Sequence, residues 1–298
     1  CLSNGNEIIG LATATGQQQT MTIAPQTLGN EVLLTVTKQD FYRYTKRIAV
    51  IPNQGPYLIY SSCNINDQDG NNQLDFNEEA TLDLAIHNVG FETIQNVNVE
   101  LSSESPYVII NSSSATYESI NANEISNKNN AFAIKLTDDV PDQTRIRLHL
   151  TMSDGTHSFS DDFVLIANAP VFKITNLSIS DANGNPTDRL YKGETSNLTF
   201  TVNNQGHSNS NDITHHLQIE APIISYVEQM LTTEGINAND SIDVTFTVTV
   251  LNNAPDGAIL DYNTTVTSNG YQEICQKQIP LGNCIEDFEN ETLNPLFT

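Results

Sequence analysis

Asp69-Gly-Asn-Asn-Gln-Leu-Asp-Phe-Asn-Glu-Glu79, continued by Ala80-Thr-Leu-Asp-Leu-Ala-Ile-His-Asn-Val-Gly90, is answered later in the same chain. The answer is Asn183-Gly-Asn-Pro-Thr-Asp-Arg-Leu-Tyr-Lys-Gly-Glu194, continued by Thr195-Ser-Asn-Leu-Thr-Phe-Thr-Val-Asn-Asn-Gln-Gly206. Other phrases recur in the same order. Ile120-Asn-Ala-Asn-Glu124 returns as Ile236-Asn-Ala-Asn-Asp240, and Asp139-Val-Pro-Asp-Gln143 returns as Asn253-Ala-Pro-Asp-Gly257. Thr151-Met-Ser-Asp-Gly155 returns as Thr267-Ser-Asn-Gly270. A period of roughly 110 residues is too long for a solenoid unit and fits whole tandem domains. Tandem copies of one small β module usually space, display or bind.

Helical periodicity is nearly absent, and two-residue alternation is everywhere. Thr81-Leu-Asp-Leu-Ala-Ile-His87, Arg145-Ile-Arg-Leu-His-Leu-Thr-Met152 and Ile242-Asp-Val-Thr-Phe-Thr-Val-Thr-Val250 show it clearly. Each run is short, rich in β-branched residues and bounded by Gly, Asn, Asp or Pro. That pattern predicts half-buried antiparallel strands. The expected fold is therefore all-β, built from tandem immunoglobulin-like antiparallel β-sandwiches. Residues 53–170 and 171–283 form the two full copies. Residues 1–52 read as the back half of another sandwich. Residues 284–298, opening at Cys284, depart from the repeat and read as the start of a further domain. The chain thus reads as a fragment. Asn53-Gln-Gly-Pro56 and Asn168-Ala-Pro170 are the expected linkers.

Only 16% of the 298 residues are charged, yet the net charge is −24, with 12 Lys and Arg against 36 Asp and Glu. So few cations disfavour a nucleic-acid partner, because no basic patch exists to displace phosphate counterions. The balance suits an extracellular surface, where acidic loops either hold hard cations or simply keep the protein soluble. No apolar stretch is long enough to span a bilayer, so no transmembrane segment is expected.

One loop stands out chemically. Asp67, Asp69, Asn71, Gln73, Asp75 and Glu78 occupy positions 1, 3, 5, 7, 9 and 12 of a twelve-residue calcium loop. Position 7 supplies a backbone carbonyl and the others supply side-chain oxygens. Asn72 replaces the usual glycine at position 6, and asparagine tolerates the left-handed backbone needed there. No helices flank the loop, so it is not a helix-loop-helix sensor. The expected cofactor is a structural calcium ion pinning an inter-strand loop. The competing reading is a solvated Asp/Gly/Asn turn. The second copy keeps Asp181, Asn183 and Asn185 but sets Arg189 near the ninth position and delays Glu194, so it is expected to have lost the ion.

Other chemistry-bearing residues point less firmly to a site. His215 and His216 are adjacent on a strand, so their side chains face opposite ways and do not share one metal. Cys63, Cys275 and Cys284 have no His base and orienting group placed beside them. Cys63 is expected to be a small buried hydrophobe, while Cys275 and Cys284 stand close enough in sequence to pair or remain free. Tyr42, Arg43, Tyr44, Lys46 and Arg47 make a basic, aromatic cluster: a surface for a neighbouring domain or a glycan, or the charged face of an edge strand. Asn-x-Ser/Thr triplets begin at Asn111, Asn176, Asn197, Asn239, Asn263 and Asn290, as chance gives in so Asn-rich a chain.

Gly5-Asn-Glu-Ile-Ile-Gly10 with Leu34-Thr-Val-Thr-Lys-Gln-Asp-Phe-Tyr-Arg-Tyr44 resembles the immunoglobulin-like domain that follows the catalytic domain of gingipain-like cysteine peptidases. Gly55-Pro-Tyr-Leu-Ile-Tyr-Ser-Ser62, with Asp69 to Glu78, is similar to the adhesion-type sandwich modules that come next in such proteins from Bacteroidetes. Cys284-Ile-Glu-Asp-Phe-Glu289 resembles the entry to a jelly-roll adhesin domain. The resemblance implies a parent endopeptidase with a Cys–His pair. Neither catalytic motif has a counterpart in this sequence, so the catalytic domain is implied upstream of Cys1. The expected function is a non-catalytic stalk and interaction region of a secreted or surface peptidase of a Gram-negative bacterium. Its expected partners are the upstream peptidase domain, a downstream adhesin-like domain, and protein or glycan surface ligands. The alternative is a free-standing cell-surface adhesin or glycan-binding protein. An enzyme in its own right is the least favoured reading, because no nucleophile–base pair or open metal site emerges.

Overall fold

The structure is a computed structural model that describes residues 1–14, 16, 20–24, 26–27, 30–51 and 54–283. Every regular element among them is a strand. The amino-terminal part holds β1 (Leu2–Asn4), β2 (Glu7–Gly10), β3 (Glu31–Val36) and β4 (Tyr44–Ala49), in one sheet ordered β2-β1-β3-β4. Val32 is the one buried hydrophobic side chain there among the described residues, while Ile8, Leu33, Val36, Phe41, Tyr42, Tyr44 and Ile48 are exposed. Among the described residues no second sheet covers the apolar face of this one. The strand bearing Tyr44, Lys46 and Arg47 is an edge strand and is exposed along its whole length.

Nine strands follow: β5 (Leu58–Asn66), β6 (Leu74–Asp75), β7 (Glu79–Asn88), β8 (Ile94–Ser102), β9 (Val108–Ser112), β10 (Ser114–Ile120), β11 (Ile125–Leu136), β12 (Thr144–Ser153) and β13 (Ser158–Asn168). Their sheets are ordered β5-β7-β11-β9 and β10-β8-β12-β13-β6. Nine more complete the fold: β14 (Phe172–Asp181), β15 (Pro186–Thr187), β16 (Thr195–Asn204), β17 (Ile213–Ile219), β18 (Ile224–Tyr226), β19 (Met230–Thr233), β20 (Ser241–Val250), β21 (Ile259–Ser268) and β22 (Tyr271–Pro280). Their sheets are ordered β15-β14-β16-β20-β18 and β19-β17-β21-β22. The eight-strand frameworks of the two units have the same topology. The fold is thus all-β, with two antiparallel β-sandwiches in tandem.

Alternation builds each core. β16 is buried at every second residue, and Leu198, Phe200 and Val202 point inward with Val244, Phe246 and Val248 of the neighbouring β20. In the first sandwich Leu82, Leu84 and Ile86 meet Phe132, Ile134, Ile146, Leu148 and Leu150 in the same way. Side chains from two inner faces thus fill one apolar layer in each unit.

A buried asparagine locks the same corner of both copies. Asn88 Oδ1 accepts from the amides of Tyr57 (3.1 Å) and Gly90 (3.0 Å), while its Nδ2 donates to the carbonyls of Glu92 (2.8 Å) and Ile120 (3.1 Å). Asn204 repeats this with the Val171 and Gly206 amides (3.1 and 3.0 Å) and the Ser208 and Ile236 carbonyls (2.8 and 3.0 Å). Each asparagine bonds four backbone groups at a buried turn, and in the second copy the Ile236 carbonyl also accepts from the Ser210 amide at 3.0 Å. The glycine two residues on is required by space. A Cβ on Gly90 would sit 2.4 Å from the Tyr57 nitrogen, and one on Gly206 would sit 2.2 Å from the Ala169 oxygen.

Candidate metal centre and the junction beside it

The two copies part company in the loop between their first two long strands. In the first sandwich the loop crosses to the opposite sheet, where β6 pairs in parallel with Ala167 and Asn168 of β13. In the second, β15 folds back antiparallel onto β14, and only the Leu190–Leu281 bridge survives of the crossing. Leu74 and Leu190, the anchors of the two crossings, are both fully buried. The segment from Asp181 to Glu194 is two residues longer than that from Asp67 to Glu78, and the hairpin takes up the extra length.

This crossing brings together Asp67, Asp69 and Glu78, each offering a carboxylate oxygen within 4.8 Å of the others. Asn72 takes the left-handed conformation at φ 60°. Asn71 joins the cluster by donating from Nδ2 to Asp69 Oδ2 and Asp75 Oδ2, both at 3.0 Å. Glu78 reaches back to accept from the amides of Gln68 (3.1 Å) and Asp75 (3.2 Å). Gln73 Oε1 accepts from Asn168 Nδ2 at 2.9 Å, so its side chain is tied to the linker and its backbone carbonyl is the oxygen left for position 7.

Two carboxylate oxygens here, Asp67 Oδ2 and Asp75 Oδ1, are buried with no hydrogen-bond partner. Unmatched buried anionic oxygens carry a desolvation cost that a cation would offset. Burial pushes the Asp75 carboxyl above its usual range, reinforced by Asp69 and opposed by Asn71 and, more weakly, by Ser208 and Asn168. Burial also raises Glu78, opposed by the two amides it accepts from and reinforced by Asp75 and Asp67. Hard oxygen donors of this kind suit Ca²⁺. The second copy is chemically different. Asp181 is satisfied by Asn183 and Asn185 amides at 2.8 Å each and by Asn185 Nδ2 at 2.8 Å. Arg189 is engaged by Asp188 (2.9 Å) and by the Gly282 carbonyl (3.2 Å).

The loop also forms part of the boundary between the sandwiches. Phe76 meets the Tyr271 ring edge-on at 5.1 Å, and Tyr271 Oη donates to the Val140 carbonyl at 2.7 Å. Asp142 Oδ2 binds His207 Nδ1 at 2.7 Å, while its Oδ1 accepts from the Ala169 amide (3.0 Å) and the His207 amide (3.3 Å). The Asn168-Ala169-Pro170 connection is itself buried. Asn168 further accepts from Gln143 Nε2 at 2.7 Å. A connection so bonded is a joint with defined geometry rather than a free tether.

The histidine pair divides as its strand position dictates. His215 is buried at 1% exposure with Nε2 2.9 Å from Thr233 Oγ1, and His216 faces the other side. Burial pushes the His215 imidazole down to about 4. Its neutral form is the folded one, so the unfolded chain takes up the extra proton between about pH 6.5 and 4. We expect stability to fall as pH drops through that window, by at most about 3 kcal/mol for this group. In His215→Leu the pH 7-to-4 loss, read by urea denaturation, should shrink by that amount; an unchanged loss would remove the assignment.

Cys63 is half-buried rather than fully buried, packs on the first core, and is pushed up to about 12 by burial, with Asp83 adding to the shift. That is a thiol held protonated, unlike an activated nucleophile. Cys275 is also free, and Cys284 lies outside the described residues, as does the whole segment 284–298.

The structure shows a second cluster that sequence reasoning missed. Register places His149 of β12 opposite Ser102 of β8 on one side and Asp162 of β13 on the other. His149 Nδ1 lies 2.7 Å from Asp162 Oδ1, and Arg147 binds the other oxygen of the same carboxylate. Hydrogen bonds from Arg147, then from His149, hold Asp162 below the usual carboxylate range. No hydrogen bond joins Ser102 to the imidazole among the described residues.

No family profile matches the chain, and no curated protein matches it. Distant likenesses exist among solved structures. A red sea bream transglutaminase aligns at 7% identity and a TM-score of 0.29, covering 78% of this chain and 32% of that one. A Porphyromonas gingivalis protein of unknown function aligns at 11% identity and 0.24, covering 76% and 99%. The C-terminal domain of the Streptococcus agalactiae AgI/II polypeptide BspA aligns at 8% identity and 0.35, covering 74% and 99%. This chain therefore matches about a third of the transglutaminase's length. Likenesses this remote carry no inference about activity, and the architecture rests on the strands themselves.

Proposed function

We propose that the chain is a non-catalytic spacer and interaction region of a secreted or surface protein, stiffened by calcium at Asp67, Asp69, Asn71, Gln73, Asp75 and Glu78. In its fuller form, the region stands between the catalytic domain of a gingipain-like cysteine endopeptidase and a downstream adhesin-like domain. It holds the protease off the surface of a Gram-negative bacterium of the Bacteroidetes type and helps present protein substrates. The observation that carries this reading is the joint. Asp142 takes both the imidazole and the amide of His207 together with the Ala169 amide, and Phe76 and Tyr271 close the other side. Two sandwiches bonded in this way transmit orientation, as a spacer requires. The hydrophobic side chains that the amino-terminal sheet exposes among the described residues support an adjoining folded domain as partner.

A double variant, Asp142→Ala with Tyr271→Phe, tests the joint. Small-angle scattering of the wild type should fit one rigid shape, and that of the variant should need a range of inter-domain angles. Equal rigidity of the two would remove the joint as the carrier. Peptide cleavage by this chain, abolished by a thiol-blocking reagent, would overturn the non-catalytic assignment. A second reading is a free-standing adhesin or glycan-binding protein. It draws on the open cleft beside Arg145, Arg147 and His149, which has the size of a ligand site.

A further inference from the structure

The first sandwich carries a cleft of about 710 Å³ lined by Ser103, Glu104, Tyr107, Arg145, Arg147 and His149, with Asp162 at its edge. Its floor is the outward face of β12, where Arg145, Arg147 and His149 alternate with buried Ile146 and Leu148. One wall is the turn from β8 to β9. That wall is already set: Ser103 Oγ donates to the Arg147 carbonyl at 2.7 Å and accepts from the Ser105 amide at 3.2 Å. Ser105 Oγ accepts from the Tyr107 amide at 3.4 Å, and the Tyr107 carbonyl accepts from the Thr137 amide at 3.0 Å.

Charge within the cleft is unevenly satisfied. Asp162 is shared by Arg147 and His149. The Arg145 side chain has no hydrogen-bond or ion-pair partner among the described residues. Its guanidinium is a planar fork of donors, suited to a carboxylate held through two parallel bonds. A chain of net charge −24 has few such groups to leave open.

The second sandwich supplies the comparison. The same place, between its own turn and β21, is a smaller cleft of about 420 Å³ lined by Glu220, Asp261, Asn263, Gln276, Lys277 and Gln278. Ser103-Glu-Ser-Pro-Tyr107 corresponds there to Ile219-Glu-Ala-Pro-Ile223. On the facing strand, Ile259, Asp261 and Asn263 stand where the first copy has Arg145, Arg147 and His149. One framework therefore carries two chemistries at one position: a cationic row in the first copy, and a row of Ile259, Asp261 and Asn263 without a cation in the second. Strand-forming demands are common to both and do not account for the difference.

We propose that the cleft at Arg145, Arg147 and His149 binds a small carboxylate about the size of a monosaccharide. Arg145 forms the bidentate bond, Arg147 and His149 add donors beside it, and the Ser103–Tyr107 turn closes one side. The shared chemistry is the carboxylate, whether carried by an acidic sugar or by an acidic peptide side chain. This inference is independent of the spacer assignment and of the calcium loop.

The test is an NMR titration of the isotopically labelled 298-residue chain with D-glucuronate, with N-acetyl-glutamate amide and with uncharged D-glucose. Saturable shifts are expected at residues 102–107 and 144–149 with one or both acidic probes, and which of them binds identifies the source. The cleft of Asp261 and Asn263 should stay silent. Arg145→Ala should weaken binding by about tenfold or more, and Arg145→Lys should recover part of the loss. Arg145 is exposed, so both variants are expected to fold, and their amide spectra away from the cleft will show it. Absence of saturable shifts with both acids, equal shifts with glucose, or wild-type affinity in Arg145→Ala would each overturn the proposal.

Discussion

Asn204→Ala is expected to destabilise the second sandwich by about 3 kcal/mol or more, and Asn88→Ala should do the same to the first. Each asparagine is almost wholly buried, at 1% and 0% exposure. Each holds two amides and two carbonyls that lie on three separate stretches of chain. Alanine removes a partner from all four backbone groups, although the Ile236 carbonyl still accepts from the Ser210 amide at 3.0 Å. One orphaned buried group costs about 1–3 kcal/mol, and four in one place do not add fully. Aspartate is the informative second variant. It keeps the acceptor toward Val171 and Gly206 but replaces the donor toward Ser208 and Ile236 with an oxygen, so it should be at least as harmful. Chemical denaturation with probes in each sandwich reads the effect. A shift within the roughly 0.5 kcal/mol typical of surface changes would show that the corner is held by something else.

These asparagines also mark what the sequence could reveal. The strands were legible because alternation depends on period alone, and the tandem copies because Ile120-Asn-Ala-Asn-Glu and Ile236-Asn-Ala-Asn-Asp recur in step. The reason for that recurrence was not legible. Ile120 and Ile236 lend their carbonyls to Asn88 and Asn204, across 32 residues in each copy. Spacing within the loop foretold the gathering of Asp67, Asp69 and Glu78, because all three lie on one short segment. It did not foretell that Phe76 of that loop would meet Tyr271 of the other sandwich. Asn168-Ala169-Pro170 was legible as a linker, but the bonds that bury it were not. The cationic cleft escaped for a related reason. Arg145, Arg147 and His149 read as the outer face of a strand, and only register could put Ser102 and Asp162 beside His149. Contacts across strands depend on pairing, which composition and period do not encode.

Calcium should raise the melting temperature of the wild-type chain at pH 7, and Glu78→Ala should abolish the rise while leaving the melting temperature in chelator nearly unchanged or higher. An ion that binds only the folded state stabilises it by RT ln(1 + [L]/Kd). For an extracellular-type site with Kd near 10⁻⁴ M, about 10 mM calcium is about 100 times Kd and gives about 2.7 kcal/mol. The response to acid has a definite sign. Burial raises the Asp75 and Glu78 carboxyls above their unfolded values near 4. Without the ion, these groups cost the fold nothing below about pH 4 and their full penalty once pH exceeds the raised values. A bound calcium ion would offset that penalty by matching the orphaned oxygens of Asp67 and Asp75. The calcium-dependent gain should therefore be large at pH 7 and shrink as pH falls toward 4, where protons compete for the same oxygens. Acid on its own should relieve this loop while it penalises His215, so the Glu78→Ala and His215→Leu variants separate the two opposing slopes. Melting curves that coincide with and without calcium at pH 7 would remove the metal from the proposal and leave the loop as a hydrogen-bonded turn. Loss of the calcium response in an Asp181→Ala variant, with the first loop intact, would place the ion in the wrong copy.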